Sequence, residues 1–163
     1  MKKEVLGIDI GGPIINHVDD WLPDELVGDA YLETGVTRGA FKAIRQLVEK
    51  RFGENVFLVS VRRLDTIKNT LAWLEHHNFY KLSGVKEGNT QFCQKRVGKG
   101  QICQDLGITH FIDDKLENLS YLATVEHKIL FRPNPDEVAK FLSYLVGVTQ
   151  VNSWSGIKKL LLP

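Results

Sequence analysis

The sequence has 163 residues, of which 43% are apolar and 25% are charged, an ordinary composition for a globular protein. The formal net charge is only +1, so we expect no general affinity for nucleic acid or for an anionic membrane surface. No stretch approaches the roughly 18 consecutive apolar residues of a membrane-spanning helix. Cys93 and Cys103 match no zinc or redox motif, which predicts buried free thiols and a cytoplasmic protein.

Apolar periodicity predicts alternating strands and helices along the chain. The predicted strands are Val5–Ile10, Asn55–Val61, Thr90–Cys93, Thr109–Ile112 and His127–Phe131. The predicted helices are Thr37–Phe52, Asp65–His77, Gly100–Leu106, Leu116–Val125, Asp136–Val146 and Ser153–Leu162. This alternation predicts one α/β domain over residues 1–163, a three-layer Rossmann-like parallel sheet with helices on both faces.

Several helix details follow from side-chain spacing. Thr37 and Ser153 are suitable N-caps. The buried face of the second helix should carry Ile67, Leu71 and Leu74, with Trp73 beside it. The helix over Asp136–Val146 should bury its regularly spaced apolar residues, Val138, Phe141, Leu142 and Leu145.

Residues 11–35 follow the first strand and show no clear period. They contain two prolines, six acidic residues, Trp21 and Tyr31. We predict a flap or minimal cap beside the end of the first strand, because a loop this long in a compact domain is commonly a functional lid.

Polar residues follow buried strands at separate places in the sequence. They are Asp9, Ser60 and the pair Asp113-Asp114, while Lys99 lies near the start of a predicted helix. The carboxyl ends of parallel strands share one edge of a sheet, so these groups can converge. Carboxylates there can hold Mg²⁺, and a hydroxyl and an ammonium can bind phosphate oxygens. A carboxylate can also attack phosphorus to form an aspartyl phosphate.

The order and type of these residues resemble the haloacid dehalogenase (HAD) superfamily, most of whose members are phosphatases that act through an aspartyl phosphate. The four matching motifs are Leu6–Gly12, Leu58–Ser60, Lys99 and Phe111–Asp114. The resemblance implies a phosphorylated small molecule or nucleotide as substrate and Mg²⁺ as cofactor.

The resemblance also implies a role for each matching residue. Asp9 would be the nucleophile and a metal ligand, and Ser60 and Val61 would bind phosphate. Lys99, with Lys95 as the alternative, would steady both the nucleophile and the phosphate. The remaining metal ligands would be Asp113, Asp114 and the backbone carbonyl of Gly11.

One position departs from the pattern of the family's phosphatases. They carry a second Asp two residues after the nucleophile, which serves as general acid and base, and here that residue is Gly11. The alternative is therefore a catalytically weak or silent domain that binds a phosphorylated ligand or a protein partner. Dehalogenase or phosphonatase chemistry is a third possibility that fits the acidic pair and the lysine-free flap less well.

Other residues could complement the site. His17, Asp19 or Asp20 could replace the missing acid, against the simpler interpretation of a solvated loop. Arg62 and Arg63 could contact a phosphate or a second anionic group and so determine specificity.

Overall fold

The fold is a three-layer α/β sandwich built on six parallel strands. A computed structural model describes residues 3–16 and 29–163. The strands are β1 (Leu6–Ile8), β2 (Val56–Val61), β3 (Thr90–Cys93), β4 (His110–Asp113), β5 (His127–Phe131) and β6 (Val148–Val151). Their order in the sheet is β3-β2-β1-β4-β5-β6. The predicted fold class is confirmed.

Helices connect the strands and cover both faces of the sheet. They are α1 (Asp29–Leu32), α2 (Ala40–Leu47), α3 (Leu64–His76), α4 (Phe79–Ser83), α5 (Arg96–Asp105), α6 (Leu116–Ser120), α7 (Pro135–Lys140) and α8 (Trp154–Leu161). A π-helical turn over Val48–Phe52 extends α2, and short 3₁₀ turns lie at Glu87–Asn89 and Leu142–Tyr144.

Two hydrophobic cores lie on opposite faces of the sheet. The first joins α2, α3, α4 and α8 through residues such as Ile44, Trp73 and Trp154. The second joins α5 and α6 through Cys103 and Leu119. Alternate residues of each strand point to opposite cores, as the two-residue period of a strand requires. The central strand β1 is therefore buried on both faces, which explains its uninterrupted apolar sequence.

The ends of several predicted helices were wrong. Thr37 does not cap α2, because Gly39, with φ of 82°, holds the N-cap position and the Thr37 hydroxyl bonds elsewhere. In α3, Leu71 is 41% exposed, and Thr70, Trp73 and Leu74 form the buried face. Ser153 does cap α8, with its hydroxyl accepting from the Gly156 amide at 3.1 Å.

The region after β5 differs most from the prediction. In place of one helix over Asp136–Val146, α7 ends at Lys140 and the 3₁₀ turn at Leu142–Tyr144 follows. Leu142 is exposed, contrary to its predicted inward position. The edge strand β6 was missed, as were the short helices α1 and α4.

Two further expectations were corrected by the structure. The helix predicted over Leu116–Val125 ends at Ser120, while Leu122 and Val125 remain buried without helical structure. Both cysteines are free thiols, but only Cys103 is buried and Cys93 is half-buried. Burial raises the pKa of both thiols, that of Cys103 to about 12, so neither is an activated thiolate.

No helix among residues 3–16 and 29–163 is long and apolar enough to cross a membrane.

Candidate functional site

Asp9 lies directly beyond β1, at the carboxyl edge of the sheet. Its backbone N–H donates to the Ile112 carbonyl at 2.9 Å, which fixes this residue against β4. The chain then turns sharply, because the N–H groups of Ile14 and Ile15 both donate to the Ile10 carbonyl. Asp9 is only 6% exposed, so its carboxylate is largely removed from water.

Lys99 is the cation that compensates this buried carboxylate. It is fully buried, and its Nζ donates to Asp9 Oδ1 at 3.1 Å and to Asp113 Oδ2 at 2.7 Å. Burial alone would lower the pKa of Lys99, but the charges of Asp113 and Asp9 outweigh it and raise that pKa. The lysine is therefore held as a cation between two carboxylates.

The helix that carries Lys99 begins earlier than predicted. α5 starts at Arg96 and not at Gly100, so Lys99 lies inside its first turn and does not open it. Lys95 precedes the helix and is exposed. Of the two lysines left open by the sequence, Lys99 is the one brought to Asp9.

Asp113 is the last residue of β4, and its carboxylate is held from three directions. Oδ1 accepts from the Lys115 amide and from Asn118 Nδ2, each at 3.0 Å, while Oδ2 accepts from Lys99. Burial raises the pKa of Asp113, and Lys99 opposes that rise. Asn118 is itself fixed by Arg96, whose Nε donates to its Oδ1 at 3.2 Å. Asn118 thus orients the Asp113 carboxylate.

A third carboxylate completes an acidic cluster. Oxygen atoms of Asp9, Asp113 and Asp114 all lie within 4.8 Å of one another. Together with Lys99, the site holds three carboxyl groups against one ammonium group. Carboxylate oxygens are the ligands that hard divalent cations prefer, so this cluster fits Mg²⁺ in ligand type and in charge.

The turn after Asp9 packs closely against this cluster. Gly12 has φ of 91°, and a Cβ atom there would overlap the Asp114 carboxylate. The Gly12 carbonyl accepts from the Thr37 hydroxyl at 2.7 Å, and the Pro13 carbonyl accepts from Trp154 Nε1 at 2.7 Å. No sequence signal linked Thr37 or Trp154 to this loop. Gly11 is buried and offers no side chain to the site.

Ser60 near the end of β2 is the unexplained polar group of the site. Its residue is fully buried, and its Oγ has no hydrogen-bond partner within residues 3–16 and 29–163. A buried hydroxyl without a partner is destabilising and commonly marks a place where a ligand or ion bonds. Val61 follows as the half-buried last residue of β2.

The two arginines after β2 differ in their surroundings. Arg62 is half-buried and bonds to Val61 and Thr70, whereas Arg63 is exposed and pairs with Asp65 at 2.8 Å. His17, Asp19 and Asp20 lie outside the described residues, as does most of the predicted flap. The described part of that segment contributes the turn over residues 11–16 and helix α1.

Comparison with known proteins supports the fold. No protein-family model and no curated protein sequence matches this chain. Among solved structures, the chain resembles a crystal structure from Burkholderia xenovorans LB400 of an inferred haloacid dehalogenase-like hydrolase. The TM-score is 0.58 at 16% sequence identity, and the match covers 83% of this chain. The chain spans 64% of that structure's length. At this identity the likeness establishes a HAD-like fold.

Proposed function

We propose that this protein is a Mg²⁺-dependent HAD-like phosphohydrolase or phosphotransferase that acts on a phosphorylated small molecule or nucleotide. The observation that carries the proposal is the buried Lys99 ammonium between Asp9 and Asp113. The unpartnered Ser60 hydroxyl at the same edge of the sheet supports it. The ammonium and the unused hydroxyl can donate to phosphoryl oxygens, and the two carboxylates can hold a metal cation that offsets the phosphoryl charge.

In the proposed reaction Asp9 is the nucleophile. Its carboxylate oxygen forms a bond to phosphorus while the bond from phosphorus to the leaving oxygen breaks, giving an aspartyl phosphate. Water then attacks that phosphorus, the Asp9–phosphorus bond breaks, and inorganic phosphate is released. An acceptor alcohol in place of water would give transfer instead of hydrolysis.

The other residues would stabilise the charges of this reaction. Lys99 holds the Asp9 carboxylate in place through Oδ1 and neutralises part of the charge on the phosphoryl oxygens. Ser60 Oγ and the backbone of Val61 would bind the remaining oxygens. Asp9, Asp113, Asp114 and the Gly11 carbonyl would hold the ion. When bound, Mg²⁺ supplies Lewis-acid stabilisation of phosphoryl charge.

The leaving group also needs a proton, and Gly11 cannot provide one. A general acid contributes typically about 10² to 10⁴-fold to rate, so turnover without one is slow unless the leaving group is a good one. Aryl phosphates, whose leaving oxygens need little protonation, should therefore be turned over faster than alkyl phosphates.

Phosphate release from a panel of phosphomonoesters and nucleotides with Mg²⁺ tests the proposal. We expect activity that EDTA removes and that Asp9→Asn lowers at least about 10³-fold, since the nucleophile is lost. Asp105→Asn, an exposed residue at the end of α5, is the matched control and should leave the rate unchanged. Activity that persists in Asp9→Asn would contradict an aspartyl phosphate.

The absence of a side chain at Gly11 favours a second candidate function, a silent domain that binds a phosphorylated ligand or a protein partner. Gly11→Asp separates the two, because Gly11 is not among the described glycines with positive φ and its backbone can accept a side chain. Turnover that appears only in Gly11→Asp supports a silent binding domain. Loss of an existing activity in that variant supports an enzyme with its own proton donor.

A further inference from the structure

Arg62 is a half-buried cation that follows the last residue of β2. It lies two residues after Ser60. Its backbone N–H donates to the Cys93 carbonyl at 2.8 Å, which ties this segment to the end of β3. Side chains two residues apart in an extended chain project to the same side, so continuation of the β2 direction by one residue would direct Arg62 to the side of Ser60.

Among the described residues, the guanidinium of Arg62 bonds only to neutral groups. Nη1 donates to the Val61 carbonyl at 3.0 Å, and Nε donates to Thr70 Oγ1 at 3.2 Å. The Thr70 hydroxyl donates in turn to the Thr66 carbonyl at 3.2 Å, with the Tyr31 hydroxyl 3.5 Å away. The side chain is thus held in one orientation by helix α3.

The other arginines of the described chain are arranged differently. Four of them have a carboxylate partner: Arg45, Arg51, Arg63 and Arg96 pair with Glu49, Glu4, Asp65 and Glu117. Arg38 and Arg132 are exposed to water. Within residues 3–16 and 29–163, Arg62 alone combines partial burial with the absence of a carboxylate partner.

This arrangement suits an external anion. A guanidinium that has lost part of its hydration gains most from a charged acceptor, and its planar fork matches two phosphate oxygens. Nη2 of Arg62 donates no hydrogen bond within the described residues. The Lys99–Ser60 site already accounts for one phosphate, so an anion at Arg62 would be a second group of the same ligand.

We propose that Arg62 binds a second phosphate of the substrate, so that the preferred substrates are bisphosphorylated or diphosphorylated compounds. This inference rests on the proposed function in placing the first phosphate at Asp9. Thr70 is a positioning residue, because it fixes Arg62 without touching the substrate. Arg63 contributes little, since Asp65 already neutralises it in water.

Calorimetric titration of ligand pairs that differ by one phosphate tests the inference. The probes are fructose 1,6-bisphosphate against fructose 6-phosphate, 2,3-bisphosphoglycerate against 3-phosphoglycerate, and adenosine 3′,5′-bisphosphate against AMP. They are titrated with Mg²⁺ into the full chain carrying Asp9→Asn, which prevents turnover. We expect at least one bisphosphate to bind about 10 to 100-fold more tightly than its monophosphate, the usual gain from a charge-assisted hydrogen bond.

Arg62→Met, added to the Asp9→Asn chain, should remove the preference for bisphosphates. The affinity for monophosphates should stay within about threefold of that of the Asp9→Asn chain, because only the second phosphate loses a partner. Arg62→Lys should retain part of the preference, since charge remains but the fork is lost. Thr70→Val should weaken it, and Arg63→Met, the matched control, should preserve it. Thermal unfolding of each variant verifies that it is folded.

Equal losses in Arg62→Met and Arg63→Met, or no preference for any bisphosphate, would overturn the inference. Its failure is distinguishable from failure of the proposed function. Turnover by the wild type without a bisphosphate preference overturns the role of Arg62 alone. A preference that depends on Arg62 in a protein without turnover supports the second phosphate site and overturns the hydrolase. Absence of any phosphate binding overturns both.

Discussion

Polar groups lie at both edges of the sheet, but they are partnered differently. At the amino edge, Arg51 donates to both oxygens of Glu4 at 2.7 and 2.9 Å and to the Leu161 carbonyl at 2.7 Å. At the carboxyl edge, Lys99 is shared by two carboxylates and Ser60 Oγ has no partner in the described residues. At the amino edge the chain itself supplies partners for these polar groups. At the carboxyl edge the carboxylates and the Ser60 hydroxyl could still bind an ion and a ligand.

His110, also at the amino edge, likewise finds its hydrogen-bond partners within the chain. Thr109 Oγ1 lies 3.0 Å from the Val5 carbonyl and 2.8 Å from His110 Nδ1, within hydrogen-bond distance of both. His110 Nε2 lies 3.5 Å from Arg51 Nη2 and 4.0 Å from Glu4 Oε1. Both ring nitrogens therefore have partners within the chain. Structural pairing of this kind needs no ligand.

Lys99→Met should have the largest effect on stability, because it leaves two buried carboxylates without their cation. We expect the free energy of unfolding to fall by about 3–5 kcal/mol, measured by urea denaturation without Mg²⁺. Lys95→Met, the exposed neighbour before α5, should change it by less than about 0.5 kcal/mol. Equal effects of the two substitutions would contradict the role given to Lys99.

The pH dependence of the free energy of unfolding should reveal the contribution of the lowered His110 pKa. Burial, with His127 and Arg51, lowers the pKa of His110 to about 4 from 6.5, while Glu4 and Glu126 oppose the shift. Below about pH 6.5 the His110 imidazole binds a proton in the unfolded chain but not in the folded chain. Stability is therefore full above that pH and falls toward pH 4, by on the order of 2–3 kcal/mol.

Urea denaturation of the wild type and of His110→Gln between pH 4 and 7.5 measures this contribution. The substituted protein should have a flatter profile between pH 4 and 6.5. His76→Gln, an exposed histidine at the end of α3, should keep the wild-type slope. A slope unchanged in His110→Gln would show that other groups take up the proton.

The two edges can be compared directly by substituting one asparagine at each edge. Asn118 donates to the buried Asp113 carboxylate at the carboxyl edge, and Asn89 donates to the Glu54 and Val56 carbonyls near the amino end of β2. Each alanine variant should lose about 1–2 kcal/mol of unfolding free energy. Only Asn118→Ala should also lower phosphatase turnover, and a similar loss in Asn89→Ala would remove the distinction.

Glu4→Gln should have the smallest effect. The pair with Arg51 is partly exposed, with 42% of the Glu4 side chain accessible, so solvent screens it. We expect a loss of at most about 1 kcal/mol in urea denaturation and no change in turnover. A loss as large as that of Lys99→Met would mean that both edges depend equally on buried charge.

The sequence predicted the parts of the site that follow apolar strands. Asp9, Ser60 and Asp113 could be located because buried parallel strands read as uninterrupted apolar runs and end at one edge. Lys99 was located from its position near the start of a predicted helix, with Lys95 as the alternative that the resemblance left open, and its helix begins at a different residue. The polar sequence from Lys95 to Gly100 has no apolar period that would mark the start of α5.

The parts that could not be predicted depend on tertiary contacts. The helical spacing of Val138, Phe141, Leu142 and Leu145 favoured one long helix, but Gly147, with φ of 78°, turns the chain into β6. Among the described strands β6 pairs only with β5, and its Thr149 and Gln150 are exposed, so its sequence lacks a continuous apolar signal. Likewise, the contrast between Arg62 and Arg63 appears only when Thr70 and Asp65 are placed beside them.

The hydrogen bond from Trp154 to the Pro13 carbonyl gives the protein an intrinsic optical reporter. Indole emission depends on the polarity and hydrogen bonding around the ring, and this indole is bonded to the turn that begins two residues after Asp9. Trp73, which donates to the Thr34 carbonyl at 2.8 Å, and Trp21 also contribute to the emission. An ion or phosphate compound that shifts the turn would change the fluorescence of Trp154, so occupancy could be followed in solution without any label.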